Sequence, residues 1–149
     1  MITNERQYRI TRRKAADFAG AIKEFDAKSP ERTDVHPRLR RAELEAMKSQ
    51  LADLREELEE YERLKAADPS VISVASLDEL ADGLIKARIA AGLSQRALAE
   101  RLELKEQQIQ RYEAERYASA SYRRLCEVAR ALDIRMQNEV LLSVAPSVA

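Results

Sequence analysis

Between Leu104 and Glu115 the chain reads LKEQQIQRYEAE, in which Glu106, Gln107, Gln108, Gln110 and Arg111 surround the single aliphatic residue Ile109. On a helix, Ile109 would anchor one face and leave Gln107, Gln110 and Arg111 on the opposite one. Amide and guanidinium groups form forked hydrogen bonds. The edge of a DNA major groove presents paired donors and acceptors, which Gln matches at adenine and Arg at guanine. Glu106, Gln107, Gln110 and Arg111 are therefore the candidate base-reading set. The competing reading is a solvated polar face.

A second group suits phosphate. Gln95 stands at the start of the preceding helical segment, where its side chain and the free backbone amides both donate. Arg96, Lys105, Arg116, Arg123 and Arg124 are placed to reach a nucleic-acid backbone. Other reactive types lack partners at useful spacing. His36 lies in a loop and Cys126 sits between Leu125 and Val128, where an apolar buried role is expected. Tyr112, Tyr117 and Tyr122 are expected to pack the loop after the Ile109 helix. No Ser/His/Asp set, phosphate loop or catalytic carboxylate pair stands out. The reading is not an enzyme, and it calls for no metal or cofactor.

These residues need positioning elements. Ala15, Phe18, Ala19, Ile22 and Phe25 recur at helical spacing and predict a helix over 11–27. Two prolines and several turn formers make 28–37 a loop. From Arg38 to about Ala67 nothing interrupts, and Leu44, Met47, Leu51, Leu54, Leu58 and Tyr61 alternate steps of three and four. That seam can pack on the first helix, zip two protomers together, or do both. The β-branched run at 71–75 and a second at 137–143 are possible short strands. Ser76 with Glu79 forms a capping-box pattern before a helix ending at Ala91, followed by Gly92. Three more helices are expected over 95–102, from 105 or 106 to 114, and from Ser121 to about 132. Leu80, Leu84, Ala87, Leu98, Leu102, Ile109, Leu125, Val128, Ala129 and Leu132 form the expected core.

Composition agrees with an all-α protein of 149 residues, with 35% charged residues, Gly 3 and Pro 4. No apolar run approaches the roughly 20 residues of a membrane span. The opening residues lack a leader's apolar stretch, and one cysteine suits a reducing cytoplasm. The zero net charge hides a pattern. Arg6, Arg9, Arg12, Arg13 and Lys14 stand against Glu5 in residues 1–14. Glu43, Glu45, Asp53, Glu56, Glu57, Glu59, Glu60 and Glu62 face only Lys48 and Arg55 in 43–62. Eleven bases outnumber seven acids in 84–135. The basic parts suit nucleic acid and the acidic part does not.

Residues 77–134 resemble the helix-turn-helix domain of the phage repressor/Cro, or XRE, family. LIKARIAAGLSQRALAERLEL, QIQRYEAER and LCEVARALDI carry the resemblance. It implies a five-helix repressor-like domain, of which four helices are recognised here. It also implies an ion pair between Arg88 and Glu113, a Gly92-Leu93-Ser94-Gln95 tetrad opening the second helix, and Ala99 as the small residue between helices two and three. The family usually places glycine after the second and third helices and near the end of the fourth. Glu103, Glu115 and Asp133 stand at or near those places here, so a slightly altered turn is expected at Glu103. The N-terminal half loosely resembles the region preceding the DNA-binding domain in HigA-type antitoxins.

The expected organisation is a helical hairpin over 1–69 for dimerisation or partner binding, then a DNA-binding domain and tail over 70–149. The leading expectation is a cytoplasmic, homodimeric repressor that binds double-stranded DNA with the helix near 105–114. The alternative is an antitoxin that binds a toxin protein through its N-terminal half and represses its own operon. An accessory protein whose extension recruits another factor is a third possibility.

Overall fold

The computed structural model describes residues 1–28, 36–66 and 71–137. They form six helices: α1 (Glu5–Lys28), α2 (Pro37–Lys65), α3 (Leu80–Ala90), α4 (Gln95–Arg101), α5 (Glu106–Ala114) and α6 (Tyr122–Ala131).

Helix α1 begins six residues earlier than the apolar stripe indicates. The Asn4 Oδ1 accepts from the Gln7 amide at 3.0 Å, which caps the helix, and Glu5 complements the dipole of the first turn. His36 does the same for α2. Its Nδ1 accepts from the Arg38 amide at 3.2 Å, and Pro37 takes the first helical position, where no amide is needed.

Helices α1 and α2 lie antiparallel, and Glu5 at the start of one pairs with Lys65 at the end of the other. Ala15, Leu51 and Tyr61 are buried, with Phe18, Ile22, Phe25, Leu44, Met47, Leu54 and Leu58 half-buried along the contact. The Tyr8 and Tyr61 rings stack with centroids 5.2 Å apart. The 44–61 seam is thus covered by α1 of the same chain. The apolar stripes of both helices repeat with the same spacing, and a neighbour already tethered covers one with the other at little entropic cost.

The strand expected at 71–75 does not form. The segment carries no regular secondary structure and no strand is present among the described residues, and one short strand cannot satisfy a ladder alone. Of the strand expected at 137–143, only Gln137 is described, and it is not in a strand; the rest lies outside the described residues. Helix α3 starts at Leu80, later than Ser76 implies. The Ser76 Oγ still accepts from the Glu79 amide at 3.3 Å, and the Glu79 carboxylate accepts from the Ala75 amide at 2.9 Å, so the two side chains hold the turn before the helix.

Helices α3 to α6 all end in the same way. In each, two amides after the last turn reach back to earlier carbonyls, the paired bonds of a Schellman motif. The longer bonds are Leu93 to Arg88, Leu104 to Ala99, Tyr117 to Tyr112 and Ile134 to Ala129. The motif needs one left-handed residue. Gly92 supplies it once (φ 68), but elsewhere it falls on Glu103 (φ 54), Arg116 (φ 47) and Asp133 (φ 54). The altered turn expected at Glu103 is therefore not found. The usual left-handed geometry is kept, with a side chain carried at a strain of about 1–2 kcal/mol. After α5 the left-handed residue is Arg116, not Glu115, and Tyr117 follows with φ 55.

The core has Ile85, Leu98, Ile109 and Val128 at its centre, each completely or almost completely buried. All ten residues expected from the sequence lie in it or against it. Ile2, Tyr61 and Leu64 join the same cluster from the hairpin. Salt bridges from Glu60 to Lys86 (2.6 Å) and from Glu57 to the Met1 ammonium (2.7 Å) fasten its edge.

Candidate nucleic-acid interface

Helix α4 starts at Ser94, whose Oγ accepts from the Ala97 amide at 3.0 Å. The buried Leu98 and Ala99 bring α4 against α5. In α5 Ile109 is fully buried, which fixes the helix about its own axis. Glu106, Gln107, Gln110 and Arg111 are all exposed. Gln108 is half-buried and accepts from the Lys105 amide at 3.2 Å, so it holds the start of α5. Gln110 donates to Glu106 at 3.0 Å, one turn earlier. Arg111 lies 5.8 Å from the centroid of the Tyr112 ring, which stacks in turn on Tyr117 at 5.9 Å. Tyr122 does not join this stack and is largely exposed, while Cys126 is half-buried.

The end of α5 is clamped by a buried polar network. The Arg88 Nε donates to one Glu113 oxygen at 2.5 Å and the Nη2 to the other at 2.8 Å. Both side chains are 3% exposed or less. The remaining guanidinium bonds go to the Leu93 and Thr3 carbonyls, each at 2.7 Å. A forked pair with its other donors satisfied is the geometry in which a buried ion pair is tolerated. Gln95 belongs to this network. It is buried, donates to Glu113 at 2.8 Å and accepts from Asn4 at 3.4 Å. This corrects the expectation that its side chain donates to phosphate: the amide is buried and bonded to Glu113 and Asn4. Nothing in the sequence signals the roles of Thr3 and Asn4 in this network. The Asn4 cap is signalled by its type before an acidic first turn, but its reach to Gln95 is not.

The other phosphate candidates surround α4 and α5 at the surface. Arg96 pairs with Glu100 at 2.9 Å, Arg116 with Asp82 at 3.5 Å, and Arg123 and Arg124 with Glu127 at 3.2 and 2.7 Å. Lys105 is exposed. Arg96, Arg116 and Arg123 are themselves exposed, and pairs of such cations contribute little, so these three can exchange carboxylate for phosphate readily; Arg124 and Glu127 are half-buried. His36, as the cap of α2, is far from this face in the chain. No group of three or more His, Cys, Asp or Glu side chains among the described residues could hold a metal ion. No described helix is long and apolar enough to cross a membrane.

An exposed helix bearing forked polar groups, set on a second short helix and anchored by one aliphatic residue, is the arrangement of a DNA-binding helix-turn-helix protein. The helix-turn-helix family model matches residues 84–137, and this part of the chain is a helix-turn-helix domain of the XRE family. That match supports a DNA-binding, transcription-regulating role of the XRE type for this part of the chain. No curated protein and no solved structure matches it.

Proposed function

We propose that the chain is a homodimeric repressor that reads a palindromic operator with α5. The observation that carries this is the division of α5 into a buried anchor, Ile109, and an exposed row of Glu106, Gln107, Gln110 and Arg111. Arg96, Lys105, Arg116, Arg123 and Arg124, with the backbone at the start of α4, hold phosphates on either side. Two copies related by a two-fold axis would read half-sites about one DNA turn apart. The α2 seam is engaged within the chain, so the contact between copies is better placed at the exposed apolar residues Val71 and Leu77. Selection of bound duplexes from a random pool tests the proposal. Enrichment of inverted half-sites with that spacing is expected. Enrichment of single, unpaired sites would remove the dimer, and no enrichment would remove sequence-specific repression.

The antitoxin reading is favoured by a separate observation. Glu45, Asp53, Glu56 and Glu59 lie exposed on one side of α2, a face suited to a basic partner protein. Co-purification with the product of a neighbouring gene, abolished by charge reversal of these acids, would support that reading.

A further inference from the structure

The basic end of α1 stands beside the reading helix. Arg6, Gln7 and Ile10 line one wall of an open cleft of about 930 Å³, and Glu106, Gln110 and Ala114 of α5 line the other. This placement is fixed by the buried network: the Thr3 carbonyl accepts from Arg88 and the Asn4 amide donates to Gln95, on the residues immediately before α1. Ile2 is buried in the shared core. The start of α1 is thus anchored to the helices that would dock on DNA.

Its charge is concentrated at that same end. Arg6, Arg9, Arg12, Arg13 and Lys14 all fall within the first ten residues of α1, whereas Asp17, Glu24 and Asp26 follow further along. All five bases are exposed, and none forms an ion pair with a described residue. The one acid among them, Glu5, is already paired with Lys65 at 3.3 Å. Arg6, Arg9 and Arg13 are spaced by three and four and so share a face. They span about 10 Å of helix axis, roughly three nucleotide rises of one DNA strand.

We propose that the first turns of α1 are a second DNA-contacting element, in which Arg6, Arg9 and Arg13 bind phosphates of the strand bordering the groove that α5 enters. The proposal rests on the DNA-binding reading and extends it to a part of the chain outside the helix-turn-helix match. Glu106 on the α5 wall repels phosphate, so the strand is held on the α1 side of the cleft, which Arg6 lines and whose helix face Arg9 and Arg13 continue. These contacts carry no base information. They add affinity and salt dependence for any sequence that α5 accepts.

The test compares full-length wild type with Arg6→Gln/Arg9→Gln/Arg13→Gln and with the corresponding triple lysine variant. Each is titrated by fluorescence anisotropy against the selected duplex and a scrambled one, between 50 and 200 mM salt (a range of about fourfold, over which phosphate binding separates clearly). Each phosphate that is no longer neutralised should reduce the slope of log Kd against log salt by about 0.9. The slope of the glutamine variant should fall by about 2–3 in total. That variant should bind both duplexes more weakly and keep the wild-type ratio between them. The lysine variant should recover the slope. All three positions are exposed, and a thermal melt checks that folding is unchanged. An unchanged slope in a folded glutamine variant, or tighter binding by it, would overturn the role of α1 and leave the DNA-binding reading intact. Failure of the wild type to bind any duplex would overturn both.

Discussion

Arg88, Glu113 and Gln95 hold the end of α5 through buried polar groups whose hydrogen bonds are satisfied within the network. Glu113 receives donors from Arg88 and Gln95, and Arg88 has an acceptor for each of the four bonds it makes. Removing either charge leaves the other buried and alone. Arg88→Met or Glu113→Gln should each cost about 3–5 kcal/mol, and the double variant less than the sum of the two. A double-mutant cycle in urea measures this, and zero coupling would mean the pair contributes nothing. Gln95→Ala should appear mainly as reduced stability, about 1–3 kcal/mol. Tyr117 differs from these residues, because its buried hydroxyl has no hydrogen-bond partner. Burial first, and the charge of Glu113 second, raise its pKa above the ordinary value of 10.0. A group with a raised folded pKa contributes its full stability below the unfolded value and loses it as pH rises beyond that value. Tyr117→Phe should therefore change stability by under about 1 kcal/mol near pH 7, and should remove part of the decline above pH 10 in thermal melts.

At the scale of the element, the sequence is most legible where one physical cause acts alone. Helices α4 and α5 fall within a residue or so of their expected bounds, because Ser94 is a strong cap and Ile109 a lone anchor. The first six residues of α1 escape the sequence reading because their cue is a single Asn4 cap, while the apolar stripe begins later. Val71 to Ala75 resembles a strand because β-branched residues favour one, but their neighbours in space are helices, so no ladder is available. The helix endings differ again. Sequence indicates glycine-less turns, yet the backbone keeps the left-handed residue and accepts the strain at Glu103 and Asp133. Glu103→Gly and Asp133→Gly should each raise stability by roughly 0.5–1 kcal/mol, the relieved strain less the extra entropy of glycine in the unfolded chain. Gly92→Ala should lower it by about 1–2 kcal/mol. Equal and opposite results in calorimetry would mean the turn geometry is different.

Over the whole molecule the N-terminal hairpin is built onto the DNA-binding helices, and this is the part least legible in the sequence. The heptad-like seam of α2 is equally compatible with a neighbour in the same chain or in another copy, and periodicity alone does not distinguish them. Ile2 and Thr3 reach the core and Arg88 only because the fold brings distant residues together, 85 positions apart for Thr3 and Arg88, a relation that local pattern does not contain. Leu51→Glu/Leu54→Glu should therefore lower the melting temperature of the chain by opening the hairpin. Sedimentation of the same variant separates this effect from assembly: a dimer that survives disruption of the seam places the contact elsewhere.

The central claim is that the exposed row of α5 reads base pairs while the hairpin and the buried network hold it in place. A scan of the selected site tests it most directly. Every base pair is substituted in turn, and binding is measured for wild type and for Gln107→Ala. At the position that Gln107 reads, substitution should weaken the wild type by about 1–3 kcal/mol and the variant hardly at all. The profiles should coincide at every other position. Coincident profiles throughout, with the same preference at every base pair, would contradict the assignment of α5 as the reading helix.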